Sequence, residues 1–237
     1  EMLVKAGGVS QSEIGPWLAD CELIIISLAN IKIMLTVMET LNGILRPGQI
    51  ILETGTFALE TKHQAKQSLS ESGAILLDCP VSGTGAQAAV ADLVMMSSGP
   101  EDAVKSIEPL LAHFTKSVIY AGPFGNGSKL KYVANHAVVL HNCAAAESLN
   151  YSLSLGLDPE MTYKLLSTGA GQSKMSDLRM PLMISGAYEP PTANMKIFEK
   201  DISVIGGNIS EQNCDTPLFD ACKKLYDTAY ATVPHSY

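Results

Sequence analysis

The sequence predicts an α/β fold built on a mainly parallel sheet, followed by an all-α region. Three observations carry this prediction. Short apolar, β-branched runs at residues 21–29, 49–53 and 74–78 alternate with segments patterned as helices, the signature of right-handed βαβ crossovers. Strand patterning stops after Gly127. From Ser128 to Gly156 no Pro or Gly interrupts a helical pattern, giving one helix of about 28 residues, or about 40 Å at 1.5 Å per residue.

Taken in order, 21–29 (CELIIISLA) reads as a strand buried on both faces, because it lacks the polar alternation of a half-exposed strand. Residues 31–41 read as a helix, 49–53 as a second strand, 58–72 as a helix with Lys and Gln on its polar side, and 74–78 as a third strand. Two further strands, 93–98 and 117–120, flank a helix over 101–114. Beyond the long helix, Asp158 ahead of Pro159 is a helix start, with a capping carboxylate and a proline at the first helical position. Gly169 to Gly171 break that helix and Pro190-Pro191 mark a loop. Two more helices run to about Gly207 and from Pro217 to about Ala231. The boundary between the α/β and helical regions falls near Gly125, dividing the chain into 1–125 and 126–237.

Composition narrows the function. With 237 residues, 46% hydrophobic and 17% charged, the chain has material for two modest cores. A net charge of -8 and the lack of a Lys/Arg stripe argue against a nucleic-acid partner. No apolar run reaches membrane-span length, since Asp20, Glu22 and Lys32 bracket the most apolar one. Five scattered cysteines without a C-x-x-C pair point to a reducing compartment, so the expected location is cytoplasmic. The five histidines form no metal-ligand pattern, so no metal is expected. His136 and His141, five apart, fall on different faces of their helix.

The chemistry concentrates where the glycine-rich turn Gly125-Asn126-Gly127 runs into the long helix. Lys131 and Asn135 are four apart and share one helix face near its N-terminus. A lysine held against an apolar wall beside the positive end of a helix loses preference for its ammonium form and can accept a proton near neutral pH. On spacing alone, a solvated Lys/Asn face is the commoner reading. Earlier in the chain, Gly83, Gly85 and Ala88 spell a formal G-x-G-x-x-A. Pro80, Val81 and Ser82 separate these glycines from the strand, and 93–98 returns to strand too soon for a βα dinucleotide turn.

The motif G-x-G-x-x-x-K-x-x-x-N at Gly125, Gly127, Lys131 and Asn135 resembles the catalytic-lysine motif of the β-hydroxyacid dehydrogenase family. Other stretches match in the family's order. Asp78-Cys79-Pro80-Val81-Ser82-Gly83 resembles its substrate loop, with Thr84, Gln87 and Ala91 departing from the usual glycines. Leu28-Ala29 stands where the family commonly has Leu-Pro, Glu53-Thr54-Gly55-Thr56 resembles D-x-S-T, and Phe198-Glu199-Lys200-Asp201 resembles F-x-K-D. The resemblance implies a partial Rossmann domain followed by a helical domain that mediates homodimers or homotetramers. It implies NAD or NADP as cofactor and a small hydroxy acid or semialdehyde as substrate. Lys131 would be the acid/base, Ser82, Gly83 and Asn135 the substrate-binding residues, and Leu28, Ala29, Thr56 and Lys200 the cofactor-binding residues. Thr56 is alternatively a helix N-cap. The rival readings are an imine reductase, which usually carries another residue at the Lys131 position, and a non-catalytic oligomerising scaffold. The sheet order of such domains places a βαβ unit with the pyrophosphate turn ahead of these strands, so that unit is expected to precede Glu1.

Overall fold

The computed structural model describes residues 2–188 and 195–232. Pro190-Pro191 and His235 lie outside the described residues. Two compact units emerge, one comprising Glu1–Val81 with Val94–Ser128, the other Ser82–Leu93 with Lys129–Tyr237.

The first unit opens with the single-turn α1 (Met2–Lys5) and a short 3-10 turn (Pro16–Asp20). Next come β1 (Leu23–Ile26), α2 (Ile31–Asn42), β2 (Ile50–Glu53), α3 (Leu59–Ser68) and β3 (Ile75–Asp78). The three strands pair in parallel in the order β1-β2-β3, with Glu53 opposite Asp78. Strand alternation sorts the core into two layers. Ile51 and Leu76 pack with Met34, Met38 and Ala65 of α2 and α3 on one face. Leu52 and Leu77 turn to the other face, against Val104, Ile107 and Leu111 of α5 (Glu101–Leu111). A second sheet is ordered β4 (Val81–Ser82), β5 (Leu93–Ser97), β6 (Thr115–Tyr120). An antiparallel bridge between Asp78 and Ser98 joins the end of β3 to the end of β5.

The structure departs from two expectations. β1 is not buried on both faces: Ile24 and Ile26 are buried in the layer under α2 and α3, whereas on the opposite face Leu23 packs against the second layer and Ile25 is 49% exposed. The helix expected over 58–72 stops at Ser68. The Asn42 side chain accepts the Ser72 N–H at 2.9 Å, and Gly73 turns at φ +67°, so the chain leaves the helix early. β4 and the one-turn α4 (Gly85–Ala88) add to the expected elements. Thr84 caps α4 in a reciprocal box with Gln87, a T-x-x-Q signal legible in the sequence.

In the second unit α6 (Asn126–Ser154) continues as one helix of 29 residues. It ends where Gly156 adopts φ +74° and the Leu157 N–H reaches back to the Ser152 carbonyl, a left-handed C-terminal cap. Asp158 then caps α7 (Pro159–Leu166) through the Met161 N–H at 2.8 Å. Beyond the Gly169–Gly171 break come α8 (Lys174–Ser185), α9 (Met195–Glu211) and α10 (Pro217–Thr232). Leu149 of α6 and Met180 of α8 centre a small core with Tyr163 and Leu166 of α7. Among the described residues no helix is long and apolar enough to cross a membrane.

Candidate active site

The start of α6 shows why its glycines are where they are. Gly125 adopts φ +94°, a conformation that favours glycine. At Gly127 a Cβ would lie 2.4 Å from the Met96 carbonyl oxygen and 2.5 Å from that of Asp78, so only glycine admits this approach of backbones. The Gly127 N–H donates to Ser98 Oγ at 2.9 Å. Ser128 donates its N–H to Asp78 Oδ2 and its hydroxyl to Asp78 Oδ1, both at 2.8 Å. A buried carboxylate thus caps the first turn of the helix, where it also meets the favourable end of the helix dipole.

One turn further on, Lys131 is half-buried and Asn135 is 6% exposed. Asn135 donates from Nδ2 to Asp201 Oδ2 of α9 at 2.9 Å. Lys200 Nζ lies 2.8 Å from Asp201 Oδ1. Burial lowers the pKa of Lys131 below the ordinary lysine value; the Asp201 carboxylate opposes this shift and Lys200 adds to it. The lysine is therefore easier to deprotonate than one in water, as a proton acceptor requires. Asp201 brings three expected site residues into one cluster, Lys131 and Lys200 by charge and Asn135 by hydrogen bond. Asp201, the last residue of F-x-K-D, owes this place to the fold rather than to the motif.

Ser82 and Gly83 fall in the same compact unit as Lys131, Asn135 and Lys200. Ser82 is half-buried at the end of β4, and Gly83 is exposed at φ +142°, where a Cβ would meet Leu93 Cδ2 at 2.5 Å. The G-x-G-x-x-A spelling is therefore not a βα dinucleotide turn, since it leads into a single capped turn and then β5. Leu28, Ala29 and Thr56 belong to the other unit. Leu28 packs against the core while Ala29 is exposed. Thr56 is 8% exposed and is not the cap of α3, a position held by Ala58. Both turns follow the C-terminal ends of parallel strands, where such sheets bind ligands. They pack closely, since a Cβ on Gly55 would approach the Leu28 carbonyl oxygen to 3.0 Å.

Comparison with known proteins places this geometry. Residues 1–122 match the NAD binding domain of 6-phosphogluconate dehydrogenase, and residues 125–236 match the NAD-binding region of NADP-dependent 3-hydroxyisobutyrate dehydrogenase. The chain belongs to the β-hydroxyacid dehydrogenase family. It is 31% identical over 233 residues to L-threonate dehydrogenase of Cupriavidus necator, covering 95% of this chain and 77% of that one. It is 27% identical over 230 residues to glyoxylate/succinic semialdehyde reductase 2 of Arabidopsis thaliana, covering 96% of this chain and 64% of that one. Among solved structures, 3-hydroxyisobutyrate dehydrogenase of Mycobacterium tuberculosis superimposes with a TM-score of 0.86 at 20% identity, covering 96% of this chain and 81% of that one. That likeness shows the fold, a parallel-sheet Rossmann-like region followed by a helical region with a long helix. Membership carries NAD or NADP as the cofactor class. The tight apposition of the Leu28 and Gly55 turns at the strand ends fits such a group.

Proposed function

We propose that the protein is an NAD(P)-dependent dehydrogenase interconverting a small hydroxy acid and the corresponding semialdehyde, similar to 3-hydroxyisobutyrate dehydrogenase in the reaction it performs. The observation that carries this reading is the half-buried Lys131, with its lowered pKa, beside the buried Asn135–Asp201 pair on the helix that follows the glycine turn. In this reading residues 1–125 hold the cofactor and 126–237 form the helical domain. Leu28, Ala29, Thr56 and Lys200 would hold the dinucleotide. When bound, it supplies the hydride acceptor or donor.

The chain's own residues do the rest. Neutral Lys131 takes the proton from the substrate hydroxyl oxygen during oxidation, and its ammonium returns that proton to the oxygen in reduction. Asn135, its amide held by Asp201, orients the same oxygen. Ser82 and Gly83 hold the carboxylate through a hydroxyl and backbone N–H groups in a glycine turn. Positioning of this kind supplies much of the rate. The relatives' named substrates, L-threonate, glyoxylate and succinic semialdehyde, share a carboxylate on a short chain. A homodimer or homotetramer through the helical domain completes the reading, supported by exposed Val133, Tyr151 and Leu165, and light scattering measures it.

The test scans a panel of small hydroxy acids, semialdehydes and cyclic imines with NADH and NADPH and their oxidised forms. Turnover of hydroxy acids or semialdehydes, lost in Lys131→Met, is expected. Turnover confined to imines, or none with any substrate despite cofactor binding, overturns the reading.

A further inference from the structure

The first unit holds a second lysine that the proposed chemistry does not use. Lys62 of α3 is fully buried, its ammonium enclosed at the C-terminal ends of β2 and β3. All three of its donors are engaged. Nζ pairs with Glu53 Oε2, lies 2.9 Å from Asp78 Oδ1 and donates to the Gly55 carbonyl oxygen at 2.7 Å. The Phe57 ring lies 5.8 Å away. The carboxylates are equally occupied. Glu53 Oε1 accepts the Gly55 N–H at 2.7 Å, while Asp78 takes Ser128 and Ser98.

Stability alone is a weak reason to build such a cluster, although removing one of its members once it is built is costly. Taking charges out of water costs several kcal/mol per ion, and well-packed apolar residues of similar volume often serve as well or better. Its placement is informative. Glu53 and Asp78 are register partners on adjacent strands, so two carboxylates stand side by side and would repel without a cation between them. The cation chosen reaches two segments. Through Gly55 and Glu53 it clamps the Thr54-Gly55-Thr56 turn by its central carbonyl and N–H. Through Asp78 it is joined to Gly127 and Ser128, the first turn of α6, with Ser98 linking the two. A neutral side chain at position 62 would leave both connections without their common centre.

We propose that Lys62 is a positioning residue, whose buried ammonium sets the Thr54-Gly55-Thr56 turn for the nicotinamide dinucleotide and ties that turn to the first turn of α6. The inference rests on the dehydrogenase reading above. It extends it to a residue that touches neither substrate nor cofactor.

The experiment measures NADH and NADPH dissociation constants by fluorescence titration, which requires no turnover, beside KM for the acid substrate. Lys62→Met strands two carboxylates and is the severe variant. The double variant Glu53→Gln/Lys62→Met removes one charge of each sign and leaves Asp78 with its Ser98 and Ser128 donors, so it is the variant expected to fold. Retained folding is checked by thermal unfolding, with titration well below the midpoint. The double variant is expected to weaken cofactor binding about ten- to hundredfold, the scale of a misplaced binding element, with the acid substrate's KM at saturating cofactor within threefold. A folded double variant that binds cofactor within threefold of wild type overturns the positioning role and leaves the dehydrogenase reading standing. Equal weakening of cofactor and acid also overturns it, since that marks general disruption. Failure of the wild-type protein to bind either cofactor removes the dehydrogenase reading and this inference with it.

Discussion

Two lysines at the strand ends and at the helix start have opposite fates, and the contrast shows what the protein does with buried charge. Lys62 has no exposed surface, yet its pKa stands above the ordinary lysine value of 10.5: burial works against the charge, but Asp78 and Glu53 together outweigh it. Lys131 is less enclosed, yet its pKa is lowered, because burial is answered only by Asp201 while Lys200 adds a like charge. Burial alone therefore does not decide protonation; the number of carboxylates facing the ammonium does. Two make a fixed cation that organises backbone. One, shared with another lysine, leaves an ammonium that is easier to deprotonate.

Removing each lysine in turn should cost the protein different things. Lys131→Met should lower turnover by about two to four orders of magnitude while cofactor affinity stays near wild type; turnover within threefold of wild type would sink the acid/base assignment. Lys62→Met should instead act on the fold, destabilising it by about 3–5 kcal/mol because buried carboxylates lose their counter-ion. Urea denaturation measures this. A loss below about 1 kcal/mol would mean that the Glu53 and Asp78 charges are not held by Lys62.

The pH dependence separates the two groups by sign. Oxidation needs neutral Lys131, so kcat/KM in that direction should climb as pH rises through a value below 10.5, and reduction should fall through the same value. The limb should vanish in Lys131→Met. One centred at or above 10.5 would contradict the lowered pKa. In stability terms a lowered pKa means that the unfolded chain binds the extra proton, so the penalty from Lys131 is relieved as pH rises from its folded pKa toward 10.5. Lys62 runs the other way: its contribution is full below 10.5 and is lost only as pH passes through its still higher folded value. The smallest effect is expected at Ser82. Loss of one hydroxyl contact in Ser82→Ala should weaken acid substrates by about 1.5–3 kcal/mol if it meets a carboxylate, and their methyl esters less. Equal weakening of both would show that the turn at Gly83 does not read charge.

Much of this was legible in the chain itself. The β-branched runs placed β1, β2 and β3 to within two or three residues of their ends. The uninterrupted stretch after Gly127 gave α6, and Asp158-Pro159 gave the start of α7, because these signals are local: alternation, capping and backbone freedom act within a few residues. The Lys131–Asn135 face followed from helical spacing alone. How far each face of β1 is covered was not legible, and Ile25, apolar by sequence, proved half-exposed. Sequence reading also put Lys62 on the polar side of its helix, where a lysine belongs when nothing but water faces it. Only the register that sets Glu53 beside Asp78 decided otherwise, by building two carboxylates where a single cation satisfies both. In the same way F-x-K-D drew attention to Lys200, while its neighbour Asp201 gained its role from packing against Asn135, 66 residues away in the chain. Local patterning thus placed the elements and the Lys131–Asn135 face, while the family resemblance pointed to Lys131 as the candidate base. Which charges meet inside the protein depends on contacts between distant segments, and those exist only once the chain has folded.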